Sequence, residues 1–183
     1  MLADTHRRRL VEFAFDRYGY VTTAEAADVG VPAVELRKIA ARGGVEHIAY
    51  GLYRFDDVPR TGLDQYMEAV LRVGPESHLT GDAVVAMLDL TPLNPNRIRV
   101  GTARRARPAL PRFVEIVCER LDHADLTEYE GIPSATVAAA LRACRGRFMT
   151  ERLVEAANEA ARRGLVTRRA LAPLIAHLAD SAA

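Results

Sequence analysis

The segment from residue 20 to residue 55 constrains the fold most, because signals for helix ends, turns and strands follow one another in a fixed order. Thr22 followed by Glu25 fits a capping box, in which the threonine is the N-cap and the glutamate reaches back to its backbone N–H. Gly30 can adopt the positive φ that ends a helix, and Pro32 suits the first turn of the next one. These signals predict two helices joined by a short turn.

The second of these helices has an apolar face and a polar face. Leu36, Ile39 and Ala40 recur at the helical period, so we expect them to face a core. The residues left on the outside are Glu35, Arg37, Lys38, Ala41 and Arg42. The pair Gly43-Gly44 is expected to stop the helix.

The residues that follow this helix favour strands. Val45 to Phe55 is rich in β-prone residues, and Tyr50-Gly51 is suited to a hairpin turn. Two helices, a short turn and an immediate hairpin are the order of a winged helix-turn-helix, which places its second helix in a DNA major groove. The alternative is a helical hairpin within a globular fold, with the charges on a solvated face. We therefore expect residues 1–58 to form a winged helix-turn-helix DNA-binding domain.

Basic and hydroxyl side chains of this domain, together with a second arginine-rich segment, are the expected DNA contacts. The set is Thr22, Thr23, Arg37, Lys38, Arg42, His47, Tyr50, Arg54, Arg104, Arg105 and Arg107. Acidic residues nearly cancel the cations of the first domain. Phosphate contacts dominate non-specific affinity, so we expect the arginines between residues 97 and 112 to add to it. A solvated strand face is the alternative for that segment.

The rest of the chain predicts a second, mixed domain over residues 62–183. The polar stretch 56–62, with a proline and a glycine, reads as a linker. Helices are expected near 63–73, 80–88, 134–144, 150–163 and from Thr167, and strands near 97–100, 113–118 and 126–132. The predicted fold class is therefore α+β, with a small sheet and terminal helices in the second domain.

Composition excludes several classes of protein. The chain has 183 residues and is 49% hydrophobic, enough for one large or two small domains. Its apolar runs are shorter than the ~20 residues of a membrane span, and its N-terminus lacks the apolar region of a secretory signal. Cys118 and Cys144 have no partners at metal-ligand spacing. We expect a cytoplasmic protein with reduced cysteines and with neither a metal nor a cofactor.

The sequence offers no recognisable catalytic set. Ser77 and His78 are adjacent at a predicted helix start, where neighbouring side chains do not face each other. A restriction-type nuclease would need a Glu-x-Lys on a strand, but Glu115 is followed by Val117 where the lysine belongs. Lys38 is the only lysine in the chain. We therefore expect a protein that is not an enzyme.

The ordered set of segments resembles the AbiEi-type antitoxins of bacterial toxin–antitoxin operons. The stretches that carry the resemblance are GVPAVELRKIAARGGVEHIAYGLYR, SHLTGDAVVAMLDLTPLNPNRIRVGTARRARP, LTEYEGIPSATVAAALRAC and LVEAANEAARRGLVTRRAL. The resemblance implies an antitoxin that binds operator DNA, represses its own operon and neutralises a nucleotidyltransferase-like toxin through its second domain. The alternative is a winged-helix transcriptional regulator whose C-terminal domain senses a small molecule.

Overall fold

The structure is a computed structural model that describes residues 2–104 and 110–180, with side chains from Thr5 onward. The chain is α+β, as predicted, and divides into two compact units, Met1–Arg72 and Val73–Ala183. Each unit has its own sheet. Within the described residues, no helix is long and apolar enough to cross a bilayer.

The first unit packs helices against a three-stranded antiparallel sheet with the order β1-β3-β2. Its elements are α1 (Leu2–Phe15), β1 (Tyr20–Thr22), α2 (Thr23–Asp28), α3 (Ala33–Ala41), β2 (Val45–Ala49), β3 (Leu52–Phe55) and α4 (Asp64–Val73). The predicted helix–turn–helix–hairpin succession over residues 20–55 matches these elements. Strand β1, which precedes α2, adds a third strand that the sequence did not indicate.

The core of this unit contains at least one side chain from every helix and strand between α1 and β3. Leu10 of α1, Val21 of β1 and Phe55 of β3 are fully buried. Leu36 and Ile39 of α3 join the same cluster, as their helical spacing predicts. The opposite side of α3 is therefore left to solvent.

Helix α4 belongs to the first unit, so the predicted boundary within residues 56–62 lies too early in the chain. Asp64 at its start forms an ion pair with Arg54 of β3. Tyr20 donates a hydrogen bond to Glu68, and the Arg72 guanidinium donates to the carbonyl of Ile48. These contacts hold the helix on the first sheet, and the division falls after Arg72.

The second unit surrounds a five-stranded mixed sheet with the order β6-β5-β4-β8-β7. Its elements are β4 (His78–Leu79), α5 (Asp82–Met87), β5 (Ile98–Thr102), β6 (Val114–Cys118), a short 3₁₀ helix (His123–Asp125), β7 (Leu126–Tyr129), β8 (Ile132–Ala135), α6 (Val137–Ala143), α7 (Thr150–Arg162) and α8 (Arg168–Ala179). Strand pairs β5–β6 and β4–β8 are parallel, and the remaining pairs are antiparallel.

Two local predictions in this unit were wrong. The segment 126–132 is a hairpin rather than one strand and a turn, because Glu130 and Gly131 take positive φ and the chain reverses into β8. Residues 77 and 78 do not begin a helix, since His78 pairs with Gly101 as part of the central strand β4. Thr136 and Thr167 are the N-caps of α6 and α8, and Met149 is the N-cap of α7.

Candidate nucleic-acid interface

The turn between α2 and α3 is fixed by local hydrogen bonds. The Thr22 hydroxyl accepts a hydrogen bond from the Glu25 backbone N–H at 3.2 Å, and the Glu25 carboxylate accepts one from the Thr22 N–H at 2.8 Å. This confirms the predicted capping box. Gly30 adopts a φ of 78° between the helices, as expected for the residue that ends α2. The polar groups of Thr22 thus serve the helix start.

The start of α2 is also bound to the tip of the β2–β3 hairpin. The backbone N–H of Thr23 donates to the carbonyl of Gly51 at 2.8 Å, and the Thr23 hydroxyl donates to the same oxygen at 3.2 Å. Gly51 has a φ of 68°, a conformation that glycine adopts without a Cβ clash. The hairpin tip therefore has a defined position relative to the helix pair.

The outward face of α3 is apolar along its centre and basic along its sides. With ~100° of rotation per residue, Leu36 and Ile39 point to one side, and Val34 and Ala41 fall in the middle of the opposite side. Val34 is 53% exposed and Ala41 is exposed as well. Arg37 flanks this line on one edge and Lys38 on the other. The sequence prediction covered the basic residues but missed Val34, which its seven-residue spacing from Ala41 could have revealed.

The cations of α3 differ in how freely they could reach a phosphate. Lys38 lies 2.8 Å from the Glu35 carboxylate, and this hydrogen bond holds the pKa of Glu35 below its usual range. The Arg37 Nε donates to the carbonyl of Ala33, also in α3. Arg42 is exposed at the helix end and has no ion pair within the part of the chain that the structure describes. Arg37 and Arg42 are thus the more available charges.

The hairpin presents an aromatic side chain at its tip. Tyr50 is fully exposed, directly before the turn glycine. His47 is exposed on β2, and its ring lies 4.9 Å from the ring of Tyr53. Glu46 is bound to Arg60 at 2.9 Å, which offsets its negative charge. Both expected hairpin contacts, His47 and Tyr50, are therefore accessible.

Arg54 was expected to contact DNA, but its side chain is buried in the structure. This side chain is 1% exposed and lies beneath α4, because β3 is the central strand and its side chains are covered. Its guanidinium donates to the Asp64 carboxylate and to the carbonyl of Val58, each at 3.0 Å. The group is not accessible to a phosphate, so Arg54 is left out of the interface.

The second basic segment, in the other unit, is only partly described. Both carboxylate oxygens of Glu76 accept hydrogen bonds from Arg104, at 2.8 and 3.0 Å, so its charge is already paired. Arg99 is half-buried beside Glu115. Arg105 and Arg107 lie outside the described residues. Among the phosphate contacts expected in this segment, Arg104 is exposed, but the carboxylate of Glu76 already compensates its positive charge.

The second unit also contains a cavity of about 610 Å³ beside β4, β7 and β8. Its lining residues are Glu76, Ser77, His78, His123, Leu126, Thr127, Glu128, Pro133 and Ser134. Ser77 and His78 do not form a nucleophile pair, because the Ser77 hydroxyl donates to the carbonyl of Gly74 and the His78 Nε2 contacts Glu119 at 3.1 Å. Across residues 2–104 and 110–180, no group of three or more histidine, cysteine or acidic side chains could hold a metal ion.

No protein-family model matches this chain, and no curated protein matches it.

Proposed function

We propose that the first unit is a winged helix-turn-helix module and that the protein is an antitoxin that binds operator DNA. In this proposal, α3 enters the major groove and the β2–β3 hairpin is the wing. The observation that carries the DNA-binding half is the exposed surface of α3, where Arg37 and the C-cap residue Arg42 are exposed while Leu36 and Ile39 are buried. The short turn before α3 and the hairpin directly after it support the same assignment.

The DNA-binding half is tested with the full chain and a fragment of the protein's own promoter. Changing Arg37 and Lys38 to alanine together should abolish the mobility shift of that fragment. The matched control is Arg162→Ala with Arg168→Ala, which removes the same charge from exposed positions of the second unit. Equal weakening by both double variants would point to general electrostatics, and unchanged affinity of the α3 variant for the promoter fragment would refute the assignment of α3.

The antitoxin half rests on the resemblance of the sequence segments to AbiEi-type antitoxins. A nucleotidyltransferase-like toxin is then the protein partner, the second unit is the part that neutralises it, and the pair acts in the cytoplasm. The supporting physical observation is that the second unit has its own sheet and its own buried core and is larger than a DNA-binding module requires. Its surface is therefore free to serve a second partner.

Co-expression with the toxin encoded next to it tests this half. The full chain should restore growth of cells that express the toxin. The Arg37→Ala, Lys38→Ala variant should restore growth equally while it fails to shift the promoter fragment, because the two activities reside in different units. No rescue by the full chain would refute the antitoxin function and leave a DNA-binding regulator.

The cavity of the second unit favours one other candidate function, a transcriptional regulator that senses a small molecule. Its volume is within the range of small-molecule sites, and it combines the apolar Leu126 and Pro133 with polar groups such as His78 and Thr127. Native mass spectrometry of the purified full chain distinguishes this function by a bound metabolite. Promoter binding that such a metabolite weakens would support the sensor.

A further inference from the structure

We propose that the outward face of α3 selects duplex DNA with a thymine at one fixed position, through contact of the Val34 methyl groups with the thymine C5-methyl group. This inference rests on the proposed DNA-binding function and adds the class of sequence that the protein prefers. It assigns base selection to an apolar residue at the centre of the helix face rather than to the basic residues at its edges.

Val34 lies near the start of α3, on its exposed face. It lies in the first turn of α3, and the N-terminal residues of a recognition helix are those that approach base edges. It also lies almost diametrically opposite the middle of the face that Leu36 and Ile39 bury. Its side chain is 53% exposed. A helix that enters the groove with this face foremost therefore brings Val34 toward the bases before Arg37 or Lys38.

The side chain of Val34 is wholly apolar. Valine has neither donor nor acceptor, so it cannot satisfy the polar groups that guanine, adenine and cytosine present in the major groove. Covering those groups without a hydrogen bond is unfavourable. Thymine alone adds a methyl group at this edge, and contact between apolar groups is the usual way it is read. The valine face thus favours thymine by attraction and disfavours the other bases by desolvation.

Lys38, on one edge of this face, is paired with Glu35. Because Glu35 holds its ammonium group at 2.8 Å, the charge beside Val34 on that edge is compensated. Ala41, seven residues along, continues the apolar line by ~10.5 Å, about three base-pair steps. The base opposite Val34 therefore meets an apolar side chain whose neighbour Lys38 already has its charge paired.

The test uses the full-length protein and compares thymine with uracil, which differs only by the missing methyl group. Binding sequences are first enriched from random duplex DNA, and each thymine of the preferred site is then replaced by deoxyuridine in turn. At one position the wild-type protein should lose on the order of fourfold in affinity, the effect of exposing one methyl-sized group. The Val34→Ala variant, which keeps helix propensity, should bind the thymine and uracil forms of that site equally.

The matched control is Phe15→Ala, which truncates another exposed apolar residue of the same unit, 66% exposed at the end of α1. This control should keep the preference for thymine. The inference is overturned if no uracil substitution weakens the wild-type protein, or if Val34→Ala loses as much affinity on uracil as the wild type does. If the wild-type protein enriches no sequence at all, the proposed DNA-binding function fails and the inference fails with it.

Discussion

Removing one partner of the buried ion pair between Arg54 and Asp64 should cost the first unit more stability than breaking one of its exposed ion pairs. Asp64 accepts from the Arg54 guanidinium at 3.0 Å with one oxygen and from the backbone N–H and hydroxyl of Thr61 with the other. Arg54 is also 5.8 Å from the ring centre of Tyr20. Within the described residues, its Nε has no hydrogen-bond partner even in the intact pair. The guanidinium therefore depends on Asp64 for compensation of its charge.

Asp64→Asn removes that compensation and leaves a buried cation. Removing one partner of a buried pair costs about 3–5 kcal/mol, because the remaining charge stays desolvated. A domain has roughly 5–15 kcal/mol of stability in total, so the first unit should lose a large part of its free energy of unfolding. The control is Glu46→Gln, which breaks the exposed pair with Arg60 and should cost about 1 kcal/mol or less.

Hydrogen exchange of the β3 amides, together with urea denaturation, measures the effect within the first unit. Protection at Leu52–Phe55 should fall in the Asp64 variant and stay near the wild-type level in the Glu46 variant. A loss below about 1 kcal/mol for Asp64→Asn would refute the reasoning, because the pair would then be as weak as an exposed one.

The same pair predicts the acid behaviour of the unit. Burial raises the pKa of Asp64, but hydrogen bonds from Thr61 and Arg54 outweigh burial and hold the pKa below its usual value. A carboxyl group with a depressed pKa stabilises the fold above its unfolded pKa of about 4, and the contribution is lost as the pH falls through the folded value. The wild-type protein should lose stability in that acidic range, and Asp64→Asn should lack this component.

Two further predictions concern a helix start and the cysteines. Thr22→Ala should lower the free energy of unfolding by about 1 kcal/mol, because it deletes the hydroxyl that caps α2. Urea denaturation measures this loss, and an unchanged free energy of unfolding would mean that the cap contributes nothing. In the folded protein, iodoacetamide should label the exposed Cys118 and spare Cys144, whose burial raises the thiol pKa to about 12. Peptide mass spectrometry should find both labelled in denaturant, and labelling of Cys144 in the folded state would contradict its burial.

The elements that could be predicted from the sequence are those whose signals are local. The α2–α3 turn is specified by Thr22, Glu25, Gly30 and Pro32 within a few residues, and the predicted capping box and positive φ are present. The hairpin turn at Gly51 is local in the same sense. Such signals act through backbone conformation and neighbouring hydrogen bonds, so they need no knowledge of the rest of the chain.

The features that could not be predicted depend on distant partners. Strand β4 has two residues and is defined by its pairing with β5 and β8, so no periodicity marks it. Arg54 resembles an exposed wing cation until its partner Asp64 and the covering helix α4 are known. The charge of Arg104 is similarly offset by Glu76, a distant residue in the sequence. Such ion pairs form between residues that are distant in the sequence, so the sequence alone does not show which of the expected DNA contacts already have a partner.

Glu35 is the residue of α3 whose removal should strengthen DNA binding. It holds Lys38 at 2.8 Å, and both lie on the helix that the proposed function places in the groove. The carboxylate repels phosphates and competes with them for the ammonium group. Glu35→Gln should therefore release Lys38 for a phosphate contact, raise affinity at low salt, and steepen the dependence of log K on log salt by ~0.9.

The control for this variant is Glu12→Gln, which removes the same negative charge from α1. Glu12 lies 3.8 Å from Arg8 in an exposed pair, away from the proposed recognition helix in the sequence. Its loss should raise affinity slightly through net charge alone and leave the salt slope unchanged. Fluorescence anisotropy with one promoter fragment at several salt concentrations measures both slopes. Equal salt slopes for the two variants would mean that Lys38 gains no phosphate contact. The edge of α3 that faces the DNA backbone would then be the one that contains Arg37, and not the one that contains Lys38.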